Sequence, residues 1–463
     1  MKHSPSPAPS NPFSPWAILQ TTANLPRRIW RGVQRLLRQP RLNWTATILE
    51  AGTREEIVAQ ALAIAAANVK QCIEPRRLLN GEEKMVLCAG VRNFREPWAR
   101  DFGFATFGLL SLGETTVVRE GLEAFLLYQT AAGQFPVKLH STGVLERYLH
   151  SLLGREQPTE KPLRPKYITA HHTVSLDGNS LLVIAALHYA KHTGDYAFIR
   201  QHWQGLCRAI TWLENYALEN DGLLHQGAYT DWADSIARTG RVLYTNVLYW
   251  KAVDSLAEAS VYCEDEIQQQ RRRTKANWLQ ENLQRHFWRE DLGYYITSEQ
   301  FNNLSSSGNT LAVVWGLASE AQSHMILDAM HRLQMAVPVP TQAVSHPYRR
   351  RYVAVENHVA RIPEYHTHAA WLWLGGWHII ALVQMNRLTE AALLLDRMSA
   401  VIVQDGVVHE VYGKNGRFLS TPLYTSEAPL TWNASMAVHA FDRLKQRQLR
   451  AEKTPQSSPL SSL

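Results

Sequence analysis

Two carboxylates stand in motifs rich in aromatic residues within a 463-residue chain that carries 15 tryptophans. Asp234 lies in Tyr229-Thr230-Asp231-Trp232-Ala233-Asp234-Ser235, and Glu410 in His409-Glu410-Val411-Tyr412-Gly413-Lys414. A carboxylic acid that protonates a leaving oxygen, a second carboxylate that activates water or attacks carbon, and aromatic faces that hold sugar rings are together the equipment for breaking a glycosidic bond. Asp231 and Asp234, three residues apart beside Trp232, give one of the two the like charge and apolar cover that raise a carboxyl pKa, and Asp234 is the candidate acid. Asp231 is the fallback acid, with a plain helix cap as its structural alternative. Glu410 is the candidate base and Glu427 its competitor.

Two further segments gather polar and aromatic groups. Phe94-Arg95-Glu96-Pro97-Trp98-Ala99-Arg100-Asp101-Phe102 places an Arg-Asp pair just before an expected helix. There it can form an ion pair or bind adjacent sugar hydroxyls. Tyr365-His366-Thr367-His368-Ala369-Ala370-Trp371-Leu372-Trp373 offers donors and stacking faces. Its histidines, two apart, do not share a helix face, and only Glu364 adds a carboxylate, so no metal site is expected. Glu410 opens a stretch with a turn at Asn415-Gly416-Arg417 that ends in Thr431-Trp432-Asn433.

The elements that must hold these groups are helical. Apolar residues recur every three to four positions at Ile199, Trp203, Leu206, Ile210 and Leu213 within 196–218, and Thr193-Gly194-Asp195 ends the helix before it. Similar patterns mark 55–69, 104–112, 117–131, 179–192, 243–263, 271–288, 310–317, 321–333, 368–385, 389–403 and 430–447. Some are apolar on every side (Leu181–Leu187, Trp371–Val383) and must be inner. Others are two-faced (Arg200–Asn215, Thr389–Arg397) and must be outer. Alternating inner and outer helices describe an all-α (α/α)6 toroid. One domain over 46–450 is expected, between a disordered Arg-rich leader at 1–45 and a disordered tail at 451–463.

The net charge of +7 is not spread over this body. Lys2, Arg27, Arg28, Arg31, Arg35, Arg38 and Arg41 precede the first acidic residue, Glu50, and equal the whole excess. The remainder is near neutral, so no nucleic-acid partner is expected. The leader has a transit-peptide composition or is a tail with a short basic amphipathic helix (Ile29, Trp30, Val33, Leu36, Leu37). Cys72, Cys88, Cys207 and Cys263 form no paired motif, which fits a reduced, cytoplasmic protein. The longest apolar stretch, Trp371 to Val383, falls short of the ~20 residues of a membrane span, so no transmembrane segment is expected.

The order of these motifs resembles the clan of inverting (α/α)6-barrel glycosidases. It runs Trp-x-Arg-Asp-Phe (98–102), Thr-Gly-Asp (193–195), Trp-x-Asp (232–234), Tyr-His with Trp-x-Trp (365–373), and Glu-x-Tyr-x-Lys-x-Gly-Arg with a trailing Thr-Trp (410–417, 431–432). The nearest in pattern are alkaline/neutral invertases and the amylo-α-1,6-glucosidase domain of glycogen-debranching enzymes, with trehalases and α-glucosidase I further off. The resemblance covers about residues 85–445. It implies a general acid at Asp234 and a general base at Glu410, set ~6.5–9.5 Å apart as inverting pairs are. It also implies a pocket formed by Trp98, Arg100, Asp101, Asp231, Trp232, Tyr365, His366, Trp371 and Trp432, with no metal or organic cofactor. The implied substrate is a small-molecule α-glucoside, either a short branched α-glucan or sucrose, with trehalose and glucosylglycerate ranked behind them. Three positions depart from the pattern: Ser235 replaces a charged residue after the acid, Thr367-His368 replaces Asn-Gly, and Gly413 replaces an aspartate. A carbohydrate-binding or scaffolding toroid without catalysis is the alternative.

Overall fold

A computed structural model describes residues 53–453 apart from 144, 145, 147, 148, 151–154 and 264. The expected leader and the tail beyond 453 lie outside the described residues. Along the chain run outer α1 (Arg54–Gln71), inner α2 (Ala99–Ser111) and outer α3 (Thr115–Leu127). Next come inner α4 (Asp177–Thr193), outer α5 (Tyr196–Ala217), inner α6 (Leu243–Ala259), outer α7 (Glu266–Phe287), inner α8 (Ser306–Val314) and outer α9 (Glu320–Arg332). A short rim helix α10 (Val355–Val359) precedes inner α11 (Leu372–Gln384), outer α12 (Leu388–Asp405) and inner α13 (Thr431–Lys453). Each inner helix packs on the next, and α13 closes the ring against α2. This is the expected (α/α)6 toroid. No helix among the described residues is long and apolar enough to cross a membrane.

Local sequence explains the elements. A capping box between Thr53 and Glu56 opens α1. Gly194, at φ 77°, ends α4, and the Asp195 side chain then accepts from the Phe198 amide to open α5. In α4 every residue from Leu181 to Leu187 is buried, whereas α5 buries a stripe through Phe198, Ile199, Trp203, Leu206, Ile210 and Leu213. Inner and outer positions therefore follow the apolar pattern. Several boundaries move, two of them in segments that carry candidate site residues. α2 begins at Ala99, five residues before the apolar pattern does, so Arg100 and Asp101 sit in its first turn and not ahead of it. α11 begins at Leu372, because Ala370 is instead paired in extended form with Gln342 and Tyr412.

Where inner helices meet, glycine sets the spacing. A Cβ on Gly108 of α2 would lie 2.0 Å from the Ser435 carbonyl oxygen of α13, and one on Gly376 of α11 would lie 2.8 Å from the Met436 carbonyl oxygen. Gly108→Ala must push α2 and α13 apart and is expected to cost about 3 kcal/mol or more. A urea midpoint unchanged from wild type would show that this contact is slack.

The first turns of the inner helices gather at one end. Asp177 of α4 bonds Arg100 of α2 and Tyr244 of α6, and Asn433 of α13 accepts from the Trp373 amide of α11. Small antiparallel pairings lace the loops above this end. Among them are Ala370 with Tyr412, and Ile236 with Val353 just ahead of α10.

Candidate active site

Asp234 stands at the mouth, in the loop between α5 and α6, with 39% of its side chain exposed. Its Oδ2 lies 3.7 Å from Arg100 Nη1 and its Oδ1 3.9 Å from His366 Nδ1. Burial of the carboxyl within the funnel pushes its pKa up to about 6, against the opposing charges of Arg100 and His171. Such a group carries a proton through mildly acidic pH. Asp231 is placed differently. It is 1% exposed, ion-pairs with Arg238, and accepts from Gln226 Nε2 (2.7 Å) and the Ala233 amide (2.8 Å). These contacts occupy it in bracing the loop that carries Asp234.

Glu410 is buried at 2% exposure in the segment leading to α13. Its Oε1 accepts from the Tyr365 hydroxyl, and its Oε2 accepts from the Tyr424 hydroxyl at 2.7 Å and the Glu427 amide at 3.0 Å. Burial raises its pKa above the usual glutamate value, and these donors pull it back. Two features hold it in place. Asn433 donates to the carbonyls of His409 and Glu410, both at 2.8 Å, and Tyr412 exchanges backbone hydrogen bonds with Ala370, tying the Glu410 segment to the loop of Tyr365 and His366.

Glu427, the competing base, is fully buried and accepts from the backbone amides of Val91, Arg92 and Asn93 at 3.2, 2.7 and 2.9 Å, with Arg92 Nε at 3.6 Å. Gly90 permits this approach, since a Cβ there would lie 2.8 Å from the Glu427 side chain. Glu427 thus anchors the loop into α2. Glu427→Gln sets an amide against the Asn93 donor and removes the charge opposite Arg92, so it should lower stability by about 2–4 kcal/mol. Denaturant midpoints measured beside turnover per folded molecule check this. A large loss of turnover with normal stability would return Glu427 to the role of base.

Asp101 links the two candidate groups. Burial raises its carboxyl to about 7, and it feels the charges of Arg100, Glu410 and Asp234. Tyr365 bonds Glu410 and also feels Asp234. Asp101 and Tyr365 therefore lie within electrostatic reach of both Asp234 and Glu410. Arg100 is held by Asp177, Nε to Oδ2 at 2.5 Å, and Asp177 in turn accepts from Ser175 Oγ at 2.6 Å.

The aromatic residues form a buried cluster in which Trp371 meets both Trp232 and Trp432 edge to face. Trp232, Trp371 and Trp432 are each at most 4% exposed. Trp232 donates to Ser307 Oγ at 3.0 Å, and Trp371 donates to the Tyr365 carbonyl at 2.9 Å. Trp432 stacks on Trp373 at 4.7 Å. His366 stacks on Trp371 at 5.2 Å and meets Ser235 Oγ at 2.9 Å. Burial keeps His366 neutral, its pKa well below the usual histidine value. Trp98 is partly exposed beneath the Lys138 ammonium, 4.6 Å from its ring. Asp177 and Tyr424 are the site residues that sequence reading omits. Ser175-Leu176-Asp177-Gly178-Asn179, ahead of an apolar helix, carries a signal for the first, while no pattern marks Tyr424. A cavity of about 400 Å³ lies elsewhere, on the outer wall between α5 and α7 against Trp203, Cys207 and Arg272.

Residues 132–348 match the model of the bacterial alpha-L-rhamnosidase six-hairpin glycosidase domain. No curated protein matches the chain in sequence. Among solved structures, a rhamnosidase from Klebsiella oxytoca with rhamnose bound is similar at TM-score 0.62 and 14% identity, over 86% of this chain and 65% of that one. The GH63 mannosylglycerate hydrolase from Thermus thermophilus in complex with Tris and D-glycerate gives TM-score 0.59 at 11% identity, over 83% and 99%. The GH78 family rhamnosidase of Bacillus sp. GL1 gives TM-score 0.56 at 16% identity. The chain covers 83% of its own length in that match but spans only 34% of the Bacillus chain. At these identities the likeness is one of fold.

Proposed function

We propose that the six-hairpin glycosidase domain of this chain is a glycoside hydrolase that acts with inversion, Asp234 protonating the leaving oxygen and Glu410 drawing a proton from water on the opposite face of the sugar. The contrast between the two carboxyls carries the reading. Asp234 is open to the mouth and holds a proton up to about pH 6. Glu410 is surrounded by donors, which suits an ionised acceptor, and Oε1 takes a single protein hydrogen bond, leaving a lone pair for water. Asp101, neutral through much of the same range, can donate to a ring hydroxyl while Arg100 orients beside it.

The sugar we infer is an α-linked glucosyl unit, on the strength of the motif order. A rhamnosyl ring is the second reading, favoured by the model matched over 132–348. Incubation with α-glucosides, α-mannosides and α-L-rhamnosides, with released sugar followed by NMR, tests both. Turnover with the inverted anomer appearing first is expected. Release with retained configuration would overturn the mechanism. Binding without turnover would support the non-catalytic toroid instead.

A further inference from the structure

The loop around Asp234 carries groups that the hydrolytic chemistry does not use. Tyr229 sits at φ 61°, in the left-handed region that a tyrosine adopts only where its surroundings impose it. His171 stacks on its ring at 4.5 Å between centroids. The turn bearing His171 is closed by Thr169 and Thr173, and the Thr173 hydroxyl is hung on the Tyr229 carbonyl at 3.1 Å. On its other side, His171 Nε2 meets Glu356 Oε1 of α10 at 3.1 Å. α10 is itself pinned over this loop, because the Ala354 amide donates to the Ser235 carbonyl at 2.8 Å. Three separate segments thus meet beside the loop that carries Asp234.

Resting on the reading of Asp234 as the acid, we propose that His171, Tyr229 and Glu356 form the leaving-group subsite, built for a hydroxylated ring such as a second sugar. The proton donor of a glycosidase faces the leaving oxygen, so groups above it must meet what departs. The phenol and imidazole give a face for stacking, and the tyrosine hydroxyl and the Glu356 carboxylate can exchange hydrogen bonds with hydroxyls. Glu356 is a positioning residue for His171 as well as a ligand, and 62% of its side chain is exposed, so its replacement does not threaten the fold.

The test compares one glycosyl group on two leaving groups, a disaccharide that fills the subsite and a glycosyl fluoride that does not. His171→Ala should lower kcat/KM for the disaccharide about 10- to 100-fold and for the fluoride by less than about threefold. Glu356→Gln should raise KM for the disaccharide with kcat little changed. Equal losses on both substrates, no loss on the disaccharide, or a wild-type kcat/KM higher for a glycosyl glycerate than for the disaccharide would overturn the assignment. Asp234→Asn in the same series keeps the two levels apart. If that variant hydrolyses the disaccharide normally, the reading beneath falls whatever His171 does.

Discussion

Asp234→Asn should lower kcat on an O-glycoside by about 10²–10⁴-fold, the range a positioned general acid supplies, while hydrolysis of the matching glycosyl fluoride persists. Asparagine keeps the shape and the neighbourhood of Arg100 and His366 but has no proton to deliver. Fluoride departs without protonation, so the contrast isolates that proton from any change in folding. The pH profile supplies an independent measure. Asp234 acts only when protonated, and burial holds its pKa up to about 6. Activity should therefore decline as pH rises through about 6, and this alkaline limb should vanish from the residual activity of the variant. An unshifted alkaline limb in Asp234→Asn would move the role to Asp101, whose carboxyl is raised to about 7.

Glu410→Gln should be as damaging, about 10²–10⁴-fold in kcat, with the fluoride lost as well, because both substrates need an activated water. Stability should change little. The site already disfavours the charged carboxylate by burial, and glutamine offers the Tyr365 and Tyr424 hydroxyls a neutral partner of the same shape. The opposite expectation for Glu427→Gln, lower stability with turnover largely kept, makes the pair of variants decisive between the two buried glutamates. On the acid side of the profile, activity should fall as Glu410 takes up a proton, at a pH above the ordinary glutamate value. Glu410→Gln retaining near wild-type turnover would remove this residue from the chemistry.

The toroid was legible because inner and outer helices differ in composition as well as position. Leu181–Leu187 and Trp371–Val383 are apolar all round and are buried all round, while the Arg200–Asn215 segment keeps one wet face. Helix starts at the mouth were less legible for a physical reason. The first turn of α2 spends Arg100 and Asp101 on the site, which erases the apolar period there, and Ala369-Ala370 is apolar yet extended because it pairs across the rim. α10, five residues long, is too short to show any period. The site divides the same way. Asp234 and Glu410 stood out through motif spacing, but that spacing did not separate Asp234 from Asp231. The difference arises from Arg238 and Gln226, which fold back onto one carboxylate and leave the other open. Tyr424 reaches Glu410 from a loop with no pattern of its own, so only the folded chain reveals it.

Ring closure through α13 also constrains when the protein becomes competent. Ser111 on the first inner helix and His439 on the last meet across 328 positions of sequence. Neither α2 nor α11 can bury its full circumference until that final stave is available, and contacts between such distant partners form slowly. During synthesis the flank of α2 that α13 covers therefore stays open for most of translation. Glu410, held by Asn433 of α13, reaches its station only in the same late step that seals the wall, so enclosure and reactivity mature together.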